Sequence, residues 1–381
     1  MRQHWIRRLT AVLLVAGLLA APSFAQGPAS LADYQARLDQ YNRARQQYDN
    51  VAASYWQSVT ERRRQREAKR RNGEPIGADD YVMTQPPVYA GPPRPVDPRG
   101  PGQDTDPRKP EIPTVADFIR AAAEQFGFVP NRVSELAFKR AYAQAANAAG
   151  LPRDLVVRIY AFETGGNGNY DTQAGTSPSR PNARPISPAL GYNQLLSTNT
   201  VGLLAEHGDE FLKILRAKAA GLSGEERTAM DRKIEAVKRM IALSRSVPRR
   251  WSEYDRLAKE TPGGIGIHAA VLDRDLGPLL QVQKLVNSVQ FARSKGLRRP
   301  LTATELELMN FTGDGSGIDM ALMPPALREQ VPTANFFQQQ GYERNPIARR
   351  TGVVARLIAD IDAKMDQMAR AQGARDMAAA F

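Results

Sequence analysis

The sequence predicts a mainly α protein with three parts: a long amino-terminal helix, a Pro-rich linker and a larger domain that is almost all helix. Three observations carry this. Tyr34, Tyr41, Tyr48 and Tyr55 recur every seven residues, a spacing that keeps them on one side of a helix. The stretch QPPVYAGPPRPVDPRGPGQ then replaces core-forming residues with Pro and Gly, which favours an extended linker over a packed element. From Thr114 onward, apolar runs at helical spacing alternate with capping residues and glycine stops.

Residues 1–25 read as a secretory signal. Arg2, Arg7 and Arg8 supply the positive start, Leu9 to Ala21 the apolar run, and Ser23-Phe24-Ala25 a small-x-small cleavage site. The apolar run is short for a membrane span. Residues 26–71 hold the long helix, with Ser30 as its cap and Asp33 three residues on. Leu31, Leu38, Ala52 and Val59 fill the complementary heptad positions, and Arg45 interrupts the seam. The tyrosines suit either an aromatic ladder for sugars or, the favoured reading, a packing seam that joins two copies or docks on the main domain. The end of the helix, ERRRQREAKRR, is either a patch for phosphate-bearing polymers or a solvated face.

Residues 72–113 form the linker. Thr114 with Asp117 then makes a variant capping box and opens the domain 114–346. Helices are expected over Val115–Phe126 and Val133–Ala149, and from Pro152 to Thr164. Beyond the Gln194 segment they are expected over Thr200–His207, Asp209–Ala220, Ser223–Arg245 and Arg250–Glu260. TPGGIG reads as a loop. Leu279–Lys295 is a further helix, and Thr302 with Glu305 caps the next, which ends in a flexible Gly-rich loop, GDGSG. Phe336 and Phe337 suit core anchoring at least as well as sugar binding. Residues 347–381 hold a last helix, Ile347–Ala369, with Val354, Leu357, Ile358, Ile361, Met365 and Met368 on one stripe, and a tail.

Composition narrows the chemistry. The 381 residues contain no Cys, so disulfides and thiol nucleophiles are absent, and only three well-separated His. No metal-ligand spacing appears and no cofactor is expected. The formal charge is +12; losing the three arginines of residues 1–25 leaves +9. An exported basic protein would be drawn to anionic polymers of the envelope, and export argues against nucleic acid.

The most informative stretch is Leu155–Leu196. Leu155, Ile159 and Glu163 are spaced four apart and share one helix face, which Gly165-Gly166 then ends. Burial on an apolar stripe and the negative end of the helix dipole both disfavour a carboxylate. Both effects raise its pKa, as a general acid near neutral pH requires. From position alone, the alternative is a Glu at a helix end that turns to solvent. Most glycosidases use two carboxylates, and near this stretch only Glu163 qualifies.

E-T-G-G at 163–166 followed by S-P-A-L-G-Y-N-Q-L at 187–195 resembles the lysozyme-like domain of lytic transglycosylases. In that family a catalytic Glu, usually followed by Ser, ends a helix, and an S-x-x-x-G-L-M-Q-L segment lines the same groove. Glu163, Ser187, Gly191, Gln194 and Leu195 match. Thr164 replaces the usual Ser, Tyr192-Asn193 replaces Leu-Met, and the intervening loop is longer than usual. The third family motif, A-Y-N-x-G, is matched best by LMNFTGDGSG, with Asn310 aligned, Met309 in place of the Tyr, and Phe311 as the candidate aromatic surface. The resemblance spans roughly Val115 to Arg344, with residues 209–260 as a helical insertion.

The resemblance implies that Glu163 protonates the glycosidic oxygen between the amino sugars of peptidoglycan. As carboxylate it then activates the sugar's own 6-hydroxyl, giving a 1,6-anhydro end, while the substrate's N-acetyl group stands in for a second carboxylate. Ser187, Gly191, Tyr192, Gln194, Asn310 and Phe311 would line the groove, with Gln194 and Asn310 positioning acetamido and hydroxyl groups. Asp171 holding a water would instead give hydrolysis. The expected setting is periplasmic or secreted and the expected partner a glycan strand. Arg62–Arg71 is the candidate contact for anionic envelope polymers and the amino-terminal helix for self-association. The rival reading is a non-catalytic wall-binding or scaffold protein.

Overall fold

The computed structural model describes residues 31–98, 111–176 and 183–381; the expected leader and the Ser30 cap lie outside them. The described residues are mainly helical, with isolated β-bridges in place of a sheet. The chain divides into two compact units, Met1–Asn50 with Val88–Asp106, and Val51–Pro87 with Pro107–Phe381. The first helix, α1 (Leu31–Asn72), contributes to both.

In the first unit the tyrosines find a partner that the heptad pattern did not indicate. Tyr41 and Tyr48 each meet Tyr89 edge-on, with ring centroids 6.1 and 5.5 Å apart. Arg45, the residue that interrupts the seam, lies 4.9 Å from the Tyr48 ring and 5.6 Å from that of Tyr89. Its cation thus takes the place of an apolar contact.

In the second unit the basic end of α1 is partly structural. Arg66 is 1% exposed. Its guanidinium donates to the carbonyls of Asp80 (2.8 Å) and Asn335 (3.1 Å) and lies 4.4 Å from the Tyr81 ring. Arg63 donates to the carbonyls of Asn335 and Phe337, and Arg70 pairs with Asp319. Arg62, Arg64 and Arg71 remain exposed. The first part of the expected linker is packed rather than extended. Ala78–Asp80 forms a 3-10 turn, Asp80 and Tyr81 are buried, and Asn335 bonds both backbone groups of Val82.

The helical domain runs α2 (Val115–Phe126), α3 (Glu135–Ala148), α4 (Arg153–Thr164), α5 (Ser197–Ala220), α6 (Gly224–Ser244), α7 (Trp251–Glu260), α8 (Pro262–Ile267), α9 (Gly277–Ser294), α10 (Ala303–Thr312), α11 (Asp314–Leu322), α12 (Pro325–Arg328), α13 (Gln339–Glu343), α14 (Pro346–Thr351), α15 (Val354–Met368) and α16 (Gln372–Ala379). The capping boxes at Thr114/Asp117 and Thr302/Glu305 both form.

Four expectations change. The two helices expected over Thr200–Ala220 are one, α5, with Gly208 inside it. TPGGIG is helical, because Pro262 sits in the first turn and the Thr261 hydroxyl accepts from the Gly264 amide (2.9 Å). GDGSG opens α11 instead of forming a flexible loop. Its Gly317 is there for contact: a Cβ would lie 2.4 Å from the backbone of Met309, so α10 and α11 could not cross so closely. The expected last helix breaks at Gly352 into α14 and α15. Phe336 and Phe337 are 2% and 6% exposed and act as core anchors.

The core that positions the site is the crossing of α4, α10 and α15. Val354, Leu357, Ile361 and Met365 of α15 are fully buried, so the stripe is a packing face, as its spacing predicts. At the edge of that face Asp362 accepts from Arg158 of α4 (2.8 Å) and from the Thr304 hydroxyl of α10 (2.6 Å).

Replacing Arg66 by Met keeps the bulk but strands the two carbonyls it serves. Charge-assisted hydrogen bonds contribute about 1.5–3 kcal/mol each and buried acceptors left unpaired cost more. The expected loss is about 2–4 kcal/mol, read as a lower denaturant midpoint. An unchanged midpoint would show that Arg66 does not tie this segment to the domain.

Candidate active site

Glu163 occupies the last turn of α4, and Gly165 closes the helix in the left-handed conformation (φ 65°). Gly166 follows at φ 78°, against α15; a Cβ there would lie 2.3 Å from the Met368 carbonyl. The two glycines let the chain turn away immediately after Glu163 while α15 stays close. Ile159 is fully buried and Leu155 nearly so, and Glu163 itself is half-buried. The helix face expected from spacing is therefore the face that forms.

What lies against Glu163 was not foreseen. Its carboxyl hydrogen-bonds Glu307 of α10, a side chain 1% exposed among Leu306, Leu308 and Met309. Burial pushes Glu163 up to about 7, partly offset by the hydrogen bond from Glu307. Glu307 is raised further, first by burial and then by Glu163, and is partly offset by Asn310 and Lys284. Two adjacent buried carboxyls cannot both ionise cheaply, so the pair holds a proton at neutral pH. Glu307 is the deeper and more strongly raised member and stays neutral, while half-buried Glu163, raised to about 7, reaches the surface with a proton of its own that it exchanges near neutral pH.

Asn310 stands one turn beyond Glu307 on the same face. Its Nδ2 and Glu307 Oε2 are buried and make no hydrogen bond of ordinary geometry among the described residues. On α9, Lys284 lies 3.5 Å from Asp314 and donates to Ser288 (2.9 Å), which donates to Asp314 (2.7 Å). A cation is thus held beside the carboxyl pair by a fixed chain of bonds.

The other expected site residues divide. Asn310 joins the pair. Phe311 is half-buried, with its ring edge-on to Phe337 at 5.6 Å. The 187–195 segment spends its polar groups on its own fold. The Ser187 hydroxyl accepts from the Ala189 amide (3.1 Å). Gly191 has φ 82° and lies against Gln281 of α9. Tyr192 is fully buried among Phe138, Tyr142 and Tyr160 and donates to Glu135 (2.7 Å), leaving it no surface to offer a ligand. Gln194, at φ 42°, donates to the Thr172 and Gly191 carbonyls. Asn193 docks the segment on α9 through two bonds to Gln281, one turn from Lys284.

His268 pins the same segment from behind. Its Nε2 bonds the Pro188 carbonyl (2.9 Å), so Nε2 carries the hydrogen and Nδ1 accepts from Thr200 (2.8 Å). Burial lowers its pKa to about 4, which keeps it neutral. The remaining carboxylates are engaged elsewhere: Asp171 pairs with Arg132, and Asp319 with Arg70. Among the described residues no three His, Asp or Glu gather as a metal site.

Glu307 had a signal in the sequence that was passed over. It is an acidic residue inside the apolar run LELM, three residues before Asn310 and hence on its face.

The raised pKa values make a stability prediction. Both carboxyls bind protons more tightly folded than unfolded. That contribution is complete below about 4.5, the unfolded value, and is lost as pH rises through the folded values. Glu307→Gln removes Glu307's share. Its melting temperature relative to wild type should therefore rise between pH 5 and pH 8, by roughly 2–4 °C for each kcal/mol relieved. A difference that stays flat with pH would mean that Glu307 ionises freely.

None of the family models, curated proteins and solved structures compared with the chain matches it, so its chemistry has to be inferred from the geometry around Glu163 and Glu307.

Proposed function

We propose that this is an exported lysozyme-like enzyme that cleaves the glycan strands of peptidoglycan as a lytic transglycosylase, with Glu163 as general acid and then base. The observation that carries the reading is a half-open Glu at a helix end that burial raises to about 7, in contact with a buried carboxyl that stays neutral. The leader-like start and basic charge fit an envelope protein.

In this reading Glu163 delivers its proton to the glycosidic oxygen. The carboxylate left behind accepts a hydrogen bond from neutral Glu307, a positioning residue that stabilises the charge as it forms. Asn310 offers an amide for an acetamido or hydroxyl group. The sugar's own 6-hydroxyl then gives its proton to Glu163 and closes the 1,6-anhydro ring. Asp171, held by Arg132, is poorly suited to hold a hydrolytic water, which favours transglycosylation over hydrolysis. The second reading, a non-catalytic wall-binding protein, draws on one observation: Gln194 is folded into its own loop.

Glu163→Gln keeps shape and hydrogen bonding but delivers no proton. Release of muropeptides from purified peptidoglycan should fall about 10²–10⁴-fold, while sedimentation with the wall is unchanged. Equal release by both proteins, or none by either, would leave the wall-binding reading.

Glu307 is tested through the pH profile. Glu307→Gln retains a donor to Glu163 and should leave the alkaline limb of activity near its wild-type position. Glu307→Leu removes the donor, so Glu163 holds its proton more tightly and the limb should move to higher pH. Identical limbs for the two variants would assign Glu307 a purely structural role.

A further inference from the structure

In the first unit the tyrosine face of α1 makes a notch that fits one aromatic ring. Tyr41 and Tyr48 stand one heptad apart, about 10 Å along the helix axis, and both meet Tyr89 edge-on. Arg45, between them on the same face, lies against the Tyr48 and Tyr89 rings and is held there by Asp49 (3.0 Å). Two rings and a cation from one helix thus surround Tyr89. Tyr34, Leu38 and Tyr41 repeat the same spacing one heptad earlier, and all three are half-buried.

The segment that carries Tyr89 follows a different period. Tyr89, Pro92 and Pro95 are half-buried, and the residues between them are exposed. Val88 and Val96, just outside, are 82% and 86% exposed. A period of three is that of a polyproline II strand, which presents every third residue to one side. The prolines preset that backbone, and the Tyr89 hydroxyl donates to the Pro92 carbonyl (2.8 Å), fixing the aromatic residue relative to the next inward proline. One turn of such a strand advances about 9 Å, close to one heptad of helix, so a strand laid along α1 meets a notch about once per turn.

The strand is lightly held. None of the described residues of this unit is buried, and an element with so little buried surface opens readily. A polyproline strand is also preformed and loses little entropy on docking against aromatic side chains, so a second strand of the same kind can take the place of the first.

We propose that the tyrosine face of α1 is a docking surface for an extended Pro-rich segment of a partner protein, one with an aromatic residue three positions before a proline, and that residues 88–96 are its tethered occupant. Binding of the partner displaces them. The choice of partner rests on the ligand already seated there, and it is independent of the reading of Glu163.

The test is fluorescence anisotropy of a labelled peptide, QPPVYAGPPRPVDP, titrated with the full chain. In wild type the tethered strand competes at an effective concentration of about millimolar. Tyr89→Ala weakens that competitor, so this chain should bind the peptide at least about tenfold more tightly than wild type does, the worth of the edge-on ring contacts. Adding Tyr41→Ala and Tyr48→Ala should abolish the gain, whereas Tyr41→Phe and Tyr48→Phe, which keep the rings, should retain it. A peptide with Ala in place of its own Tyr should bind none of the chains. No gain in Tyr89→Ala, or equal binding of the two peptides, would overturn the proposal. Sedimentation of wild type as a dimer that the free peptide splits would assign the face to a second copy's strand and overturn the choice of partner.

Discussion

The contact between Glu163 and Glu307 sets terms for the rest of the domain. Two carboxyls meet where burial disfavours the charge of either, and such a pair persists only if the helices carrying it cannot slide apart. The crossing of α4 and α10 is held by apolar burial against α15 and by Asp362, which accepts from both helices at once. Gly166 and Gly317 remove the side chains that would push these elements apart. The same features keep a titratable group half-open at the surface while its partner stays out of water.

The segment from Ser187 to Leu195 shows how a motif can be kept for its shape. Its polar side chains bond mainly to its own backbone and to α9, and His268 holds it through Pro188. Gln281, where it lands, is one turn from Lys284, whose charge acts on Glu307. The segment thus belongs to the supporting structure of α9. Asn310, from the most degenerate of the three motifs, is the one of the remaining motif residues that meets the carboxyl pair.

The amino-terminal arginines make a related point. A run such as RRRQREAKRR carries no mark of which cations face water. Arg63, Arg66 and Arg70 recur at three- and four-residue spacing and turn inward, where backbone carbonyls and Asp319 receive them. Arg62, Arg64 and Arg71 stay exposed, so the run is both an anchor and a basic surface.

Local information determined a good deal. Helix starts at Thr114 and Thr302, the stop at Gly165, the packing stripe of α15 and the buried face of Glu163 all follow from spacing within one or two turns, and each formed as read. The helical state of TPGGIG and GDGSG was misread because glycine was taken for flexibility where close approach required it. Tertiary structure alone decided that Glu307 would be the second carboxyl and that Tyr192 would be core. Those outcomes depend on how distant helices cross, and crossing geometry is set by packing over the whole domain, which no window of the chain contains.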